Sequence, residues 1–351
     1  MARRSEHVRA DDDQRIRLRR AKLTGLRRRL LGEGRERDST DAPEPVDLGA
    51  LTASQAHGTA TVLCERGGTA PVGAAVLWAM RQDARRLVLF VDDEAGVAAR
   101  LAGYFSTSGR AVQVRRVEGA TSSPAAPEPL VPPAAGPEDG GELVALLRDA
   151  GLEVVVEHGV ITGELLGLEV ARLVRWPVEV GGDDELHLEA GVGRFDRDAV
   201  AAVHPDEPPA SSLARTVEAV RRHRYPGAPT HPLQRLARER WLRTDLVADP
   251  ALVGASWLEP VATPVERPGL RDVHPAAAVG EDESGAPLVV VCSTGIDPGL
   301  VPHAADIRAA HAPDARLVLA LPERDHHPAT MLLAASLSAP ASLVAVPVGW
   351  G

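Results

Sequence analysis

Short apolar runs separated by polar turns dominate the chain from residue 59 onward. The runs at 59–64, 85–91 and 111–118 have the length and the residue types of strands. Between them, the longer apolar segments 70–82 and 93–105 are typical of helices that cover a sheet. Because strand and helix alternate, this part of the chain predicts a parallel sheet with helices on its faces.

The same order of elements returns near the C-terminus. Strands are predicted at 287–292, 314–321 and 341–349, with helices at 300–312 and 322–337. The stretch 85–94 matches 315–324 in sequence, and Cys64 and Cys292 both close the first strand of their copy. We therefore predict two diverged copies of one Rossmann-like βαβαβ unit.

Proline-rich and polar stretches divide the rest of the chain. We predict a basic, partly disordered tail with a short helix at 1–50, a Rossmann-like unit at 55–119, a proline-rich linker at 120–140, a central α+β domain at 141–245, an extended connector without strands at 246–287 and a second Rossmann-like unit at 288–351. The length of 351 residues exceeds what one hydrophobic core usually organises, which favours two or three domains.

Glutamates recur along the strands of the central domain. Its pattern predicts a helix at 142–150, a strand at 152–156, a hairpin at 160–174, a strand at 185–192 and a helix at 195–203. Helix, strands and helix, with Glu164, Glu169 and Glu189 on the strands, resemble the PD-(D/E)XK nuclease superfamily. The resemblance covers residues 141–243 and implies a restriction-endonuclease-like domain between the two Rossmann-like units.

The resemblance also implies a divalent-metal site. In that family, acidic residues on adjacent strands hold Mg²⁺ or Mn²⁺, which activates water. By position, Glu189 matches the second acid, and Glu164 or Glu169 matches the first. Glu169 and Glu189 are the predicted catalytic residues, and Glu164, Glu169 and Glu189 are the candidate metal ligands. The family's lysine falls on Gly191, and Lys22 is the only lysine in the chain. An enzyme would thus be a metal-dependent nuclease without its lysine, and we predict that hydrolysis has been lost.

Alternatives to this site stay open. Arg172 or Arg194 could take the place of the lysine, although arginine does not release a proton near neutral pH. Glu142 or Glu157 could add a further carboxylate. Because apolar residues flank Glu169 in alternation, it could equally be an outward-facing residue of a half-exposed strand, as could Glu189.

Positive charge is concentrated in two segments of an acidic chain with a net charge of −10. Residues 1–40 hold 13 Arg or Lys and 7 Asp or Glu, and residues 211–243 hold 8 arginines and 2 glutamates. The second segment predicts contacts with the phosphates of DNA or RNA, or else the solvated face of packing helices. The predicted phosphate-binding residues are Arg215, Arg221, Arg222, Arg224, Arg235 and Arg238. The leading functional prediction is a nuclease-like nucleic-acid-binding protein.

The N-terminal segment offers a second interaction hypothesis. Ile16, Leu23, Leu26 and Leu30 fall on one helical face, and arginines cover the remainder. Residues 15–32 are therefore either part of a solvated tail or a basic helix that docks a protein partner, a nucleic acid or an anionic membrane surface. In the docking case the protein would serve as a scaffold.

The strand ends suggest a third function. Ligands of parallel sheets bind beyond the carboxyl ends of the strands. These ends carry Glu65, Arg66, Asp92, Asp93 and Glu94 in the first copy and Ser293, Thr294, Gly295, Asp297, Glu323, Arg324 and Asp325 in the second. Two Rossmann-like copies around a nuclease-like domain are similar to nucleotide-sensing CRISPR-associated proteins, which implies a nucleotide or small-ligand sensor. Otherwise these residues are polar turns.

Several classes are excluded by what the sequence lacks. Cys64 and Cys292 are far apart and form no CxxC motif, so neither a disulfide framework nor a cysteine zinc site is predicted. Apolar runs are too short for a membrane span or a signal peptide, which favours a cytoplasmic protein. Four clustered histidines lack zinc-motif spacing and are predicted to be surface or cap residues: His303, His311, His326 and His327.

Overall fold

The computed structural model describes residues 2–33, 43–106, 110–177, 184–203, 207–267 and 269–350, with side chains except those of 2–11, 31–33, 200 and 201. Within these ranges the chain is mixed α/β, with three sheets and nine α-helices. Residues 34–42 of the tail predicted at 1–50 lie outside the described residues, as do residues 178–183 between the predicted hairpin and the next predicted strand. One compact unit comprises Met1–Pro129, Ile296–Ala305 and His327–Ala341, and the other comprises Leu130–Gly295, Asp306–His326 and Ser342–Gly351.

A six-stranded sheet forms the centre of the first unit. Its elements are α1 (Ala2–Glu33), β1 (Val46–Asp47), β2 (Leu51–Ala56), β3 (Thr59–Arg66), α2 (Thr69–Arg81), β4 (Arg86–Asp93), α3 (Ala95–Gly103), β5 (Ala111–Glu118) and β6 (Thr121–Pro124). The strands lie in chain order, and β3, β4 and β5 are parallel, as the alternation of strand and helix predicts. β1, β2 and β6 extend the sheet by antiparallel pairing.

Helix α1 is longer than the short helix predicted for the tail, and it packs on the six-stranded sheet. Leu23 and Leu26 are buried against Leu63, Val88 and Phe90. Burying an apolar side chain of this size contributes roughly 1.5–3 kcal/mol, so the contact holds a helix whose other positions are mostly charged. The apolar stripe predicted from the sequence therefore faces the chain's own sheet.

The second unit contains a four-stranded antiparallel sheet. Its elements are α4 (Gly141–Asp149), β7 (Glu153–Glu157), β8 (Val160–Leu165), β9 (Leu168–Pro177), β10 (Asp184–Ala190), α5 (Gly193–Val203) and α6 (Pro209–Arg221). The strands form a meander in chain order. This order of helix, strands and helix agrees with the predicted elements of the central domain. Its core consists of aliphatic side chains from α4, α6 and the strands.

A five-stranded sheet follows, and it corrects one prediction. Its elements are α7 (Arg238–Ala248), β11 (Trp257–Val261), β12 (Ala276–Glu281), β13 (Pro287–Cys292), α8 (Leu300–His311), β14 (Arg316–Pro322), α9 (Pro328–Ala335) and β15 (Ala341–Val346). The segment 246–287 was predicted to lack strands, which is wrong because β11 and β12 lie in it. β12 begins with three buried alanines and continues with Val279 and Gly280, so it shows no polar alternation before its last residue.

The two larger sheets share more than the predicted βαβαβ order. α1 contacts β1, β2 and β3, and α7 contacts β11, β12 and β13, so each parallel core is preceded by a helix and two antiparallel strands. The strand register also refines the repeat. Val88 and Val318 are equivalent positions of the repeat. Val88 pairs with Thr61, two residues before Leu63, and Val318 pairs with Val290, two residues before Cys292. Cys292 therefore corresponds to Leu63 and not to Cys64. The two cysteines therefore occupy positions that differ by one residue.

The segment predicted as a separate domain at 288–351 is divided between the two units. Residues 296–305 and 327–341 belong to the first unit, and the remaining residues belong to the second. The boundary at Pro129 and Leu130 falls inside the predicted linker at 120–140, whose first residues form β6.

Candidate functional site

The two predicted catalytic glutamates bind arginines. Oε1 of Glu169 lies 2.8 Å from Nη1 of Arg197 and 2.8 Å from Nη2 of Arg172. Glu189 lies 3.5 Å from Nε of Arg197. Arg197 is buried, and this burial lowers its pKa, while the charge of Glu169 opposes the shift. The structure therefore brings Glu169 and Glu189 together around a cation supplied by α5.

Gly191, the position predicted to match the lysine of the nuclease superfamily, has no space for a side chain. Gly191 has a φ of +148°, and a Cβ there would lie 2.8 Å from both the backbone nitrogen and Cγ of Arg197. A side chain would thus clash with the start of the Arg197 side chain and its backbone. Any side chain at position 191 would therefore displace Arg197, which pairs with Glu169 and Glu189. Arg194 pairs with Asp198 at 3.7 Å on the surface of α5.

The third predicted metal ligand, Glu164, binds a different pair of arginines. Its carboxylate is fully buried and lies 2.6 Å from Nη1 of Arg240 and 2.6 Å from Nη2 of Arg243, both on α7. Across the residues that the structure describes, no three His, Cys, Asp or Glu side chains form a group that could hold a metal ion. Each of the three predicted ligands, Glu164, Glu169 and Glu189, is instead paired with at least one arginine.

Helix α7 carries a buried charge network that joins it to the hairpin of β7 and β8. Arg240 also pairs with Glu157, and Glu153 accepts hydrogen bonds from Thr244 at 2.8 Å and from Arg243 at 3.4 Å. Burial raises the pKa of Glu157. For Arg240, burial opposes ionisation, but Glu164 and Glu157 outweigh it and hold the pKa above its usual value.

A close backbone approach sets this geometry. The β8–β9 hairpin turns at Leu166 and Gly167, whose φ values are +48° and +74°. A Cβ on Gly167 would lie 2.3 Å from the carbonyl carbon of Arg240 and 2.4 Å from the nitrogen of Trp241. Only glycine lets the turn meet α7 so closely, and this contact places Glu164 opposite the two arginines.

The six predicted phosphate-binding arginines differ in accessibility. Arg215 pairs with Glu207 at 2.7 Å, and Arg222 pairs with Glu218 at 3.1 Å. Arg221 and Arg235 are exposed, and Nε of Arg238 donates to the carbonyl of Gln234. Arg224 is 1% exposed. Their common role as phosphate ligands stays a prediction for the exposed members, whereas burial prevents Arg224 from reaching a phosphate on the surface.

Arg224 instead binds backbone carbonyls. Its guanidinium donates to the carbonyls of Leu165, Leu166, Leu233, Leu236 and Ala237. The guanidinium carbon lies 4.5 Å from the ring centroid of Trp241, and burial lowers the pKa of Arg224 to about 9. The side chain therefore links the β8–β9 turn to the segment before α7.

A cavity of about 530 Å³ lies at the carboxyl edge of the six-stranded sheet, within the first unit. It is lined by Arg15, Arg19 and Ile16 of α1, by Glu65 and Arg66 at the end of β3, and by Asp12, Gly49, Ala50 and Pro71. Pro71 lies in the first turn of α2. Arg15 pairs with Glu65, and Arg66 pairs with Glu94, but the side chains of Arg15 and Arg66 remain 62% and 72% exposed.

The basic residues of α1 bond mainly to the sheet beneath it. Arg19 pairs with Asp47 at 2.8 Å, Lys22 pairs with Asp92 at 2.6 Å, and Arg27 donates to Ser54 at 2.7 Å. Several side chains predicted to contact an external partner through residues 15–32 are thus used within the first unit. Docking of a partner on this helix stays a prediction.

The strand ends of the five-stranded sheet are bonded locally. The hydroxyl of Thr294 donates to Glu239 of α7, and the amide of Gly295 donates to Asp325 at 2.8 Å. Of the predicted cap histidines, His327 does cap a helix, since its Nδ1 accepts the amide N–H of Ala329 at 3.1 Å. His311 bonds to the carbonyl of Ala262, and His303 is buried.

The buried His274 is expected to make the folded protein less stable at acidic pH. Burial, reinforced by Arg267 and Arg240, lowers the pKa of His274 to about 4, and its Nε2 lies 2.9 Å from Oγ1 of Thr263. In the unfolded chain His274 is protonated as the pH falls below about 6.5, whereas in the folded chain it stays neutral until about pH 4. Stability should therefore fall as the pH drops from 6.5 to 4, by about 3 kcal/mol at most.

The check is urea unfolding of the wild type and of His274→Gln at pH 7 and pH 4.5. The variant should lose less stability on acidification than the wild type. Asp245, whose pKa burial raises to about 6, is present in both proteins and cancels in the comparison. Equal losses of stability in the two proteins would show that His274 does not cause this pH dependence.

Sequence reasoning missed the two arginines of α7 and those of α1 that line the cavity. A signal was present, since Arg240 and Arg243 are three residues apart and so share a helix face. Comparison of the chain with models of known families, with curated proteins and with solved structures gives no significant match. In the described part of the chain, no helix is both long and apolar enough to cross a membrane.

Proposed function

We propose that this protein binds a small phosphorylated ligand, such as a nucleotide, in the cavity of the first unit. The observation that carries the proposal is the lining of that cavity by Arg15, Arg19 and Arg66 at the carboxyl edge of the parallel strands. Open parallel sheets bind ligands at this edge. Pro71 places the first turn of α2 at the cavity wall, and the positive end of the helix dipole there favours an anion.

The size and chemistry of the cavity suit such a ligand. A volume of about 530 Å³ falls in the range of small-molecule sites, roughly 300–1,000 Å³. A guanidinium carries five N–H groups, so Arg15 and Arg66 retain donors beyond those used by Glu65 and Glu94. In this proposal the larger sheets are diverged Rossmann-like units, and the four-stranded sheet is a nuclease-like domain without hydrolysis. The ion pairs of Glu169 and Glu189 support that loss.

The test is a thermal-unfolding and calorimetric titration with ATP, AMP and inorganic phosphate. At least one of these should raise the unfolding temperature, because a ligand that binds only the folded state stabilises it. Replacing both Arg15 and Arg66 by glutamine should weaken binding about tenfold or more, since charge-assisted hydrogen bonds to phosphate contribute roughly 1.5–3 kcal/mol.

Arg86→Gln is the matched control. Arg86 is exposed at the start of β4, at the opposite edge of the same sheet, and its side chain donates a hydrogen bond to Oε1 of Gln113 at 3.0 Å. This variant should bind the ligand like the wild type. Absence of binding by all three probes, or unchanged binding in the double variant, would overturn the proposal.

Nucleic-acid binding is a second candidate, supported by the exposed Arg221, Arg222 and Arg235 in the second unit. Anisotropy titrations of labelled single- and double-stranded DNA across a salt series belong to the same experiment. Binding with a steep salt dependence that decreases in an Arg221→Gln, Arg222→Gln variant would favour this candidate. The two candidates use different arginines, so their outcomes are separable.

A further inference from the structure

A second cavity of the first unit has a different chemistry from the anion cavity. It measures about 340 Å³. Three groups of residues line it: Ala74, Leu77, Trp78 and Arg81 of α2; His327, which caps α9, with Ala329, Thr330 and Leu333 of α9; and Leu48, Ile296 and Pro298. We name this site the α2–α9 groove. Small-molecule sites are concave and mostly apolar with a few polar groups, and the groove has this composition.

The groove is built on a rigid contact. Gly73 of α2 lies against the turn that contains Pro298, because a Cβ on Gly73 would be only 1.8 Å from the Pro298 carbonyl oxygen. Gly299 approaches α2 equally closely, since its Cβ would lie 2.8 Å from the nitrogen of Ala70. Two glycines therefore fix the spacing between α2 and this turn. A site held in this way loses little freedom when a ligand binds.

Polar groups at the groove define what it would bind. Arg81 is the only Asp, Glu, Lys or Arg among the lining residues. It is exposed, and among the described residues its side chain has no hydrogen-bond or ion-pair partner. Nδ1 of His327 accepts the Ala329 amide N–H, which leaves Nε2–H as a donor. Ile296 is 58% exposed at the apolar wall. An apolar body with one anionic end matches these features.

We propose that the α2–α9 groove binds a small apolar carboxylic acid. The chain or ring of the ligand packs on Leu77, Trp78 and Leu333, and its carboxylate pairs with Arg81. Burial of apolar surface supplies most of the affinity. The proposal is independent of the anion cavity, because it uses none of the three arginines that line that cavity.

The test is calorimetric titration of the full chain with octanoate, with octylamine as a probe of equal length and opposite charge. Octanoate should bind and octylamine should bind at least several-fold more weakly. Arg81→Gln should weaken octanoate binding about fivefold, as expected for loss of one exposed ion pair. Arg85→Gln, an exposed arginine in the turn after α2, is the control and should bind like the wild type.

A filling variant locates the site. Ala74→Phe should abolish octanoate binding by occupying the groove, and Leu333→Phe serves the same purpose if the first variant does not fold by circular dichroism. The Arg15→Gln, Arg66→Gln variant should bind octanoate normally, so failure here is distinguishable from failure of the nucleotide proposal. No octanoate binding by the wild type, or normal binding by Arg81→Gln and a folded filling variant, would overturn the assignment.

Discussion

Replacing Glu164 by alanine is expected to lower the free energy of unfolding by about 3–5 kcal/mol, the usual effect of removing one partner from a buried ion pair. The carboxylate is fully buried and lies 2.6 Å from both Arg240 and Arg243. Its loss leaves two buried guanidiniums close together, with only Glu153 and Glu157 to offset them. The second unit should therefore unfold at a much lower urea concentration.

Glu218→Ala is the matched control for this variant. Glu218 also pairs with an arginine, Arg222, but its side chain is 56% exposed, so the loss should be within about 1 kcal/mol. Glu164→Gln separates charge from shape, because glutamine keeps the size of the side chain and removes its charge. It should show most of the loss seen in Glu164→Ala. Urea unfolding followed by tryptophan fluorescence measures all three, and a loss below about 1 kcal/mol in Glu164→Ala would contradict a buried network.

The contrast between Glu164 and the predicted catalytic pair shows where sequence reasoning stops. Strand positions of the three glutamates could be predicted, since alternation and hydrophobic runs identify β8, β9 and β10. Their partners could not, because Arg197, Arg240 and Arg243 come from helices up to 79 residues away in the chain. A carboxylate on a buried strand looks the same in sequence whether a metal or an arginine neutralises it.

Fold predictions failed where the local signal was weak. β3, β4 and β5 were predictable because their apolar runs differ from the surrounding helices. β12 begins with three alanines in place of the β-branched residues that are typical of strands. It also lies between β11 and β13 in the sheet. Residues 15–32 were predicted to be either a solvated tail or a helix that docks an external partner, yet Leu23 and Leu26 of α1 pack on the chain's own sheet.

Matching sequence alone also placed the two cysteines at one position of the repeat. The hydrogen-bond register shows which residues of two sheets are equivalent. It matters here because a shift of one residue moves a side chain to the other face of a sheet. Cys64 pairs with Val91, whereas Cys292 pairs with Ala320, the counterpart of Phe90. Both thiols are buried, and burial raises the pKa of each to about 12. We therefore expect both thiols to react slowly with thiol reagents, although they lie on opposite faces of their sheets.

Replacing Arg224 by methionine is expected to destabilise the second unit by about 3 kcal/mol or more. Methionine fills much of the same space, but it leaves carbonyls of Leu166, Leu233 and Leu236 without their charged donor. Each buried polar group that loses its partner costs about 1–3 kcal/mol. The contact with the Trp241 ring, worth roughly 0.5–2 kcal/mol, is lost as well.

Arg222→Met is the control, because Arg222 is two residues away, is 68% exposed and pairs with Glu218 on the surface. It should change stability by less than about 1 kcal/mol. Arg224→Lys keeps the charge, but a single ammonium has three donors and cannot reproduce the planar array that reaches both the β8–β9 turn and the segment before α7, so it should recover only part of the loss. Urea unfolding and DNA anisotropy on the same samples discriminate between the two roles of this residue. A structural role predicts lower stability in Arg224→Met, whereas a phosphate ligand would give weaker DNA binding at unchanged stability, which would contradict the burial of its guanidinium.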